Sequence, residues 1–187
     1  MANPIAAWQE EHANFSRLLD LLEREVSAFS GGDRPNYDLM SDVVHYLRGF
    51  SDQVHHPRED VAFARLAAHD PDMGIVVNRL LQEHRVIAVA GTALAHEIDN
   101  AMDDVMASRE ALEAAAATYL VYYRNHLNVE DSRILPRAAL VLKPEDWAAV
   151  VLAIPGTPDP LFGDSVQGRF RELRRQIDRE SGISLEG

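Results

Sequence analysis

The chain has 187 residues, of which 30 are Asp or Glu and 18 are Lys or Arg, so its formal net charge is −12. With 47% hydrophobic and 26% charged residues it has the composition of a folded protein, and its length suits one domain. The acidic excess argues against binding to nucleic acid or to an anionic membrane, because both require a basic surface. Cysteine is absent, which excludes disulfides, zinc–thiolate sites, iron–sulfur clusters and a cysteine nucleophile.

The beginning of the sequence does not resemble a secretory signal, because it has neither a basic start nor a long apolar run. The longest strongly apolar stretch, at about 148–154, is far shorter than the roughly 20 residues that span a bilayer. We therefore expect a soluble, cytoplasmic protein without a membrane partner.

Hydrophobic residues recur at alternating intervals of three and four along most of the chain, which predicts helices, and period-two alternation is nowhere sustained. Asp70 before a proline and Ser108 are expected to cap the third and fourth helices. Short connections favour antiparallel neighbours. The predicted fold is all-α, an antiparallel up-down-up-down four-helix bundle with helices at about 4–29, 37–68, 72–105 and 109–141.

The pattern changes after residue 142. A short helix is expected to open at Lys143-Pro144 and to stop at Pro155, followed by a Gly/Pro-rich loop and a charged helix near 165–180. This part is too small to hold its own core, so we divide the chain into a bundle, 1–142, and a C-terminal helical extension, 143–187. The extension is expected either to cover the open end of the bundle or to form a homodimer contact through its apolar residues, Trp147, Leu161, Phe162, Phe170 and Leu173.

The sequence contains an internal repeat. Glu11-His12 recurs 72 residues later as Glu83-His84, and the segment 55–60 recurs 71 residues later as 126–131. The near-equal shifts indicate two similar helical hairpins. Each hairpin has one histidine on its first helix and a His-x-x-x-Glu pair on its second.

The spacing of the repeat places its polar residues at one height. His and Glu four residues apart share a helix face, and residues equidistant from the turn of an antiparallel hairpin lie level. The midpoint of His12 and His55 falls in the predicted turn at 30–35, and that of His84 and His126 falls near residue 105. Four imidazoles and two carboxylates are therefore expected to converge in one layer of the core.

Two carboxylates buried without compensation would be very costly, and a bound cation removes that cost. Imidazole and carboxylate without thiolate suit iron, manganese or zinc. Two bridging carboxylates with two imidazoles at each end suit a pair of metals, as in other sites that bundles build from facing helices. The predicted metal ligands are His12, His55, Glu59, His84, His126 and Glu130.

This arrangement resembles the hemerythrin-like, or HHE cation-binding, family over about residues 8–140, in a bacterial form with a C-terminal extension. The resemblance includes the apolar residues after each carboxylate, Ile134-Leu135-Pro136 and Phe63-Ala64, and the segments HHPRED and DPLFG. It implies a non-haem site with two iron ions and a bridging oxygen species. It also implies dioxygen or nitric oxide as the small ligand.

One departure from the family bears on function. Oxygen-carrying hemerythrins have a further histidine one turn after the third-helix ligand, and this sequence has Ala88 there. The resemblance then implies a near-symmetric site with two histidines per iron, as in di-iron proteins linked to repair of nitrosatively damaged iron–sulfur clusters. Reversible oxygen transport is not expected.

We therefore expect a non-haem di-iron protein that binds or senses dioxygen or nitric oxide, with a role in iron homeostasis or in oxidative or nitrosative stress defence. One alternative is a di-iron enzyme, an oxidase, a peroxidase or a nitric-oxide-consuming enzyme. A second alternative is a helical interaction module with incidental metal. The same ligands serve the first two, so the sequence does not separate them.

A second register remains open at the HHPRED segment, because His56 and Asp60 also have the i, i+4 spacing. The repeat favours His55 and Glu59, which places His56 toward the flank of the helix. Pro57 removes a backbone hydrogen bond and is expected to bend the helix there.

The remaining polar and aromatic residues are assigned less specific roles. Glu11 and Glu83 could orient ligand imidazoles, but solvated positions beside the ligands are favoured. Tyr119 and Tyr122 precede His126 on the predicted seam and are interpreted as packing residues. Three histidines match no position of the repeat and are predicted at the surface: His45, His69 and His96.

Overall fold

The computed structural model describes residues 4–31, 33–103 and 108–180. Within these ranges every regular element is helical, which confirms the all-helical prediction. The predicted end of the third helix at 104–105 lies outside them. The α-helices are α1 (Ile5–Gly31), α2 (Tyr37–Tyr46), α3 (His56–His69), α4 (Gly74–Met102), α5 (Arg109–Val129), α6 (Leu135–Val141), α7 (Pro144–Ala153) and α8 (Arg171–Glu180).

Two of the long predicted helices contain a wider, π-helical segment. Leu47–His55 joins α2 to α3, and Glu130–Ile134 joins α5 to α6. At the end of the first segment the backbone N–H of His56 donates to the carbonyl of Ser51, five residues back. Such segments are rare and occur most often at functional sites.

A proline follows each π-helical segment by two residues, Pro57 after the first and Pro136 after the second. In an α-helix the proline ring clashes with the carbonyl four residues back and removes one hydrogen bond. A wider turn ahead of the ring relieves that clash, which explains why the predicted bend at Pro57 takes this form.

The two predicted caps have different outcomes. Ser108 accepts a hydrogen bond from the backbone N–H of Ala111 at 3.3 Å, which confirms it as the cap of α5. Asp70 makes no side-chain cap to the described backbone, so that prediction is wrong. A 3₁₀ turn, Pro71–Met73, separates it from α4, and its carboxylate accepts from Nε of Arg137 at 2.6 Å instead.

The long helices pack around a shared core. The first helix, α1, contacts α2 and α5, and α4 contacts α2, α3 and α5. Among the described residues the buried apolar side chains form two clusters, one around Phe15 and Ile87 and the other around Trp8 and Leu80. On α1, His12 lies between the residues of the two clusters, and His84 does so on α4. The histidine layer therefore separates the two apolar clusters.

The extension packs on both clusters. The Trp147 ring stands edge-on against that of Trp8, with ring centroids 5.9 Å apart. Leu161 and Leu173 are fully buried in the other cluster, and Tyr46 donates its hydroxyl proton to Asp159 at 2.8 Å. These contacts join the described part of residues 143–187 to the helices of residues 4–141. The homodimer contact and the division at residue 142 stay predictions.

A close approach of α4 to α5 requires a glycine at position 91. A Cβ at Gly91 would lie 3.0 Å from Cε2 of the buried Tyr119 ring, whereas one at Gly74 on the same helix meets no described atom within 4 Å. We expect Gly91→Ala to lower the free energy of unfolding by about 1–2 kcal/mol, because overpacking outweighs the gain in helix propensity. Thermal denaturation compared with Gly74→Ala measures this, and equal stability of the two variants would contradict it.

Candidate metal centre

The first half of the polar layer is built by α1, by α3 and by the end of the π-helical segment Leu47–His55. Nε2 of His12 lies 2.8 Å from Nε2 of His55 and 3.3 Å from Oε1 of Glu59. Nε2 of His55 lies 3.2 Å from Oε2 of Glu59. The Nε2 edge of each imidazole therefore points to the Glu59 carboxylate, and all three side chains are at most 1% exposed.

The second half is built in the same way by α4, α5 and the start of the π-helical segment Glu130–Ile134. Nε2 of His84 lies 3.4 Å from Oε1 of Glu130, and Nε2 of His126 lies 3.0 Å from that oxygen. His126 and Glu130 are fully buried, and His84 is 6% exposed. The structure thus brings together all six residues that the repeat singled out.

Each of the four imidazoles is held from outside by a carboxylate at its other nitrogen. A histidine whose Nδ1–H is bonded in this way presents the lone pair of Nε2 inward, which is the arrangement that metal-binding histidines use. The pairs are His12 with Asp131 at 2.9 Å, His84 with Asp60 at 2.6 Å, His126 with Glu83 at 3.3 Å, and His55 with Glu11.

Glu11 and Glu83 therefore orient imidazoles, and the prediction of solvated neighbours was wrong for both. Each precedes a layer histidine by one residue, which turns its side chain toward the adjacent helix. An arginine contacts each: Nη2 of Arg58 donates to Glu11 at 2.5 Å, and Nε of Arg79 donates to Glu83 at 2.7 Å. Sequence reasoning missed Asp131, although it directly follows Glu130 in the repeat.

Several residues of the layer have strongly shifted pKa values. Burial by itself lowers the pKa of His12, but its hydrogen bond to Asp131 and the nearby carboxylates of Glu59 and Glu130 raise the pKa to about 10. The same balance raises the pKa of His84 to about 10. Burial raises the pKa of Glu59, and the neighbouring His55 and His12 overcome it and hold that pKa well below the usual value. The buried carboxylates thus stay charged and need positive charge beside them.

The donor set fits a metal centre. Both carboxylate oxygens of Glu59, Oε2 of Glu130 and Nε2 of His126 are buried without a hydrogen bond to the described part of the chain. Buried polar atoms are seldom left in this state, and each such case needs an explanation. Here the unbonded atoms face one another in one layer, and imidazole nitrogen with carboxylate oxygen is a donor set for iron, manganese or zinc.

His56 does not lie on the flank of the helix, as the sequence predicted, but is 2% exposed and joins the same group. Its ring stacks on that of His84 with centroids 4.1 Å apart and an angle of 11°. The π-helical turn before it explains the error, because residues five apart then share a face and Ser51 bonds Nε2 of His56 at 3.2 Å. The alternative pair of His56 with Asp60 is not formed, since Asp60 is engaged by His84.

The aromatic residues near the layer need one further correction. Tyr119 and Tyr123 are fully buried, whereas Tyr122 is 44% exposed, so its predicted place on the seam was wrong. The inward step on α5 is four residues at this point and not three. The surface position of the histidines outside the repeat is confirmed for His45, His69 and His96.

The fold and this layer define an all-helical protein with a buried His/Glu cluster suited to metal. The chain matches the hemerythrin HHE cation-binding domain family over residues 3–138. Since the match covers more than half of the chain, the chain belongs to that family, whose domains typically bind iron. No curated protein matches the chain. None of the described helices is long and apolar enough to cross a bilayer.

The two adjacent histidines can be separated by substitution. We expect His55→Ala to reduce the metal content of the purified protein by half or more, because Nε2 of His55 faces Glu59 directly. His56→Ala should retain the metal, because both ring nitrogens of His56 face Ser51 and Asp52. Elemental analysis decides between them, and loss of metal in His56→Ala alone would reverse the assignment.

Proposed function

We propose that this protein is a non-haem di-iron protein that binds or senses dioxygen or nitric oxide in the cytoplasm, in iron homeostasis or in oxidative or nitrosative stress defence. The site would sit in an antiparallel up-down-up-down four-helix bundle, 1–142, carrying the extension 143–187. The observation that carries the proposal is the set of four imidazoles with Nε2 inward and Nδ1 on a carboxylate. The proposed ligands are His12, His55, Glu59, His84, His126 and Glu130.

The distances support a shared site with two halves. His12 and His55 surround Glu59, and His84 and His126 surround Glu130. Each carboxylate also reaches across, since Oε2 of Glu59 is 3.8 Å from Nε2 of His84 and Oε2 of Glu130 is 3.6 Å from Nε2 of His12. Carboxylates with this reach suit a bridging role between two cations.

The chain supplies orientation and exclusion of water, and bound iron would supply the redox and ligand-binding chemistry. Phe15 stands edge-on to the His55 ring with centroids 5.0 Å apart, and Phe63 stacks on His84 at 6.5 Å. These contacts fix the imidazole planes, while the outer carboxylates fix the ring nitrogens. A site held in this way is organised before the metal arrives.

Metal content and its effect on stability test the proposal. We expect two metals per chain, iron when the protein is produced with iron. A metal that binds only the folded state stabilises it by mass action, by roughly 4 kcal/mol when its concentration is far above Kd. For a protein of this size each kcal/mol of stability corresponds to about 2–4 °C in Tm. Removal of the metal should therefore lower Tm by about 10 °C. Elemental analysis measures the metal content, and calorimetry measures Tm before and after the metal is removed with a chelator.

A matched pair of variants controls this experiment. His84→Ala should lower the metal content, whereas His96→Ala on the same helix, which is 71% exposed, should leave it unchanged. One metal per chain in the unmodified protein would contradict the bridged two-metal site. If the protein binds no metal after anaerobic reconstitution with iron, both di-iron functions are contradicted and the alternative of a helical interaction module is supported.

Stopped-flow mixing of the reduced protein with dioxygen, nitric oxide and hydrogen peroxide separates binding from turnover. We expect a stable optical change with dioxygen or nitric oxide at one equivalent per site, because the proposal is a binding or sensing protein. Continued consumption of any of the three would favour the alternative, a di-iron enzyme. An absence of reaction in a protein that carries two metals would contradict both.

A further inference from the structure

The two halves of the layer share their six predicted ligands but differ in the residues beside them. Under the repeat shifts of 71 and 72, Asp52 corresponds to Tyr123, His56 to Leu127 and Ala88 to Ser16. The first hairpin therefore carries a buried carboxyl and a buried imidazole where the second carries a phenol and an alkyl group. The ligands themselves repeat, so this difference is not needed to hold metal.

A cavity lies where the halves differ. It has a volume of about 180 Å³, opens to solvent, and is lined by residues of α3, of α4 and of the π-helical segment between α2 and α3. Its walls include the imidazoles of His56 and His84 and the side chains of Asp52, Arg85 and Ala88. A volume of this size holds several water molecules. The cavity thus leads from solvent to a proposed ligand imidazole.

Asp52 lines this cavity, and one of its two carboxylate oxygens has no hydrogen-bond donor among the described residues. Its side chain is 6% exposed, and its Oδ1 makes no hydrogen bond to the described part of the chain, although Nδ1 of His56 lies 3.5 Å away. A buried carboxylate oxygen without a donor is costly unless a ligand or water supplies one. Asp52 is therefore placed to accept a proton donor that enters the cavity.

His56 is held beside Asp52 by a buried chain of hydroxyl groups. Ser51 lies 3.2 Å from Nε2 of His56, and the Tyr123 hydroxyl group bonds to Ser51. The His56 ring also stacks on His84. These contacts leave Nδ1 as the nitrogen of His56 that faces Asp52, so the pair forms a fixed polar wall.

We infer that this cavity is the binding site for a small neutral molecule with exchangeable protons, of the water and hydrogen peroxide class, with Asp52 as its hydrogen-bond acceptor beside the His84 half of the layer. The inference rests on the proposed two-metal site. The methyl group of Ala88 leaves the space that a larger side chain at this position would fill.

Substitution of Ala88 tests the location. In the metal-loaded full chain, Ala88→Leu should weaken azide binding, read from the optical spectrum, and slow the reaction with hydrogen peroxide, each by about tenfold or more, a change of about 1.4 kcal/mol. Ser16→Leu, at the corresponding exposed position of α1, should change neither beyond about twofold. Ala88→Val serves as a smaller change with the same expected direction.

Substitution of Asp52 tests the chemistry, because the two probes differ in charge. Asp52→Asn keeps the shape and removes the carboxylate, so the reaction with hydrogen peroxide should slow by about tenfold through loss of a charge-assisted hydrogen bond. Burial raises the pKa of the Asp52 carboxyl group to about 7, so the comparison is made at about pH 8.5, where the group is charged. Azide, an anion, should then bind more tightly to Asp52→Asn because a repelling charge is gone. The opposite responses are a readout that a structural role would not give.

Metal content is measured in every variant, so the failure of the metal site and the failure of the cavity are distinguishable. Absence of metal in the unmodified protein overturns the proposed function. With two metals present, normal azide and peroxide behaviour in Ala88→Leu and Ala88→Val overturns the location. Equal or parallel responses of both probes to Asp52→Asn overturn the hydrogen-bonding role.

Discussion

The burial of two carboxylates in one layer is the constraint on which the rest of this structure depends. Glu59 and Glu130 are fully buried, and the charge of Glu59 acts together with burial to raise the pKa of Glu130. The imidazoles of His126 and His84 overcome both effects and keep that pKa low. Without such partners the layer would be among the costliest features a small core can contain. The four histidines and the four outer carboxylates follow from this requirement.

The apolar clusters make the layer possible by fixing the helices on either side of it. Trp8 and Leu80 belong to one cluster, and Phe15 and Ile87 belong to the other, each about one turn from a layer histidine. His12 and His84 are therefore held by packing one turn before and one turn after them on their own helix, and their ring nitrogens are then set by hydrogen bonds. Stability and site geometry come from different residues that alternate along the same helices.

Much of this arrangement could be predicted from the sequence because two strong periodicities coincide. The spacing of three and four predicted the helices, and the repeat of 71–72 residues identified the six residues of the layer. Extrapolation failed where the helix is not an α-helix. The wider turn before His56 turned a predicted flank residue inward, and Pro57, which signals that turn, could only indicate that the helix changes there.

Other errors arose from local competition that spacing does not describe. Asp70 was expected to cap a helix, but Arg137, distant in sequence, engages its carboxylate. After Tyr119 the next buried position can be three or four residues on, at Tyr122 or at Tyr123, and periodicity alone does not distinguish the two. The outer carboxylates were undervalued because the partner of each lies on another helix, and no single helix pattern contains both members of a pair.

The outer hydrogen bonds have a consequence for how such a chain could arise. Asp60 of the first hairpin binds His84 of the second, and Asp131 of the second binds His12 of the first. This reciprocity is what an isologous two-fold interface produces, with each contact made twice in exchanged roles. A single hairpin carrying one copy of each motif would build the same layer by pairing with itself. Duplication and fusion of such a self-pairing hairpin would yield a chain with this repeat, in which Asp52, His56 and Ala88 are positions where the two halves differ.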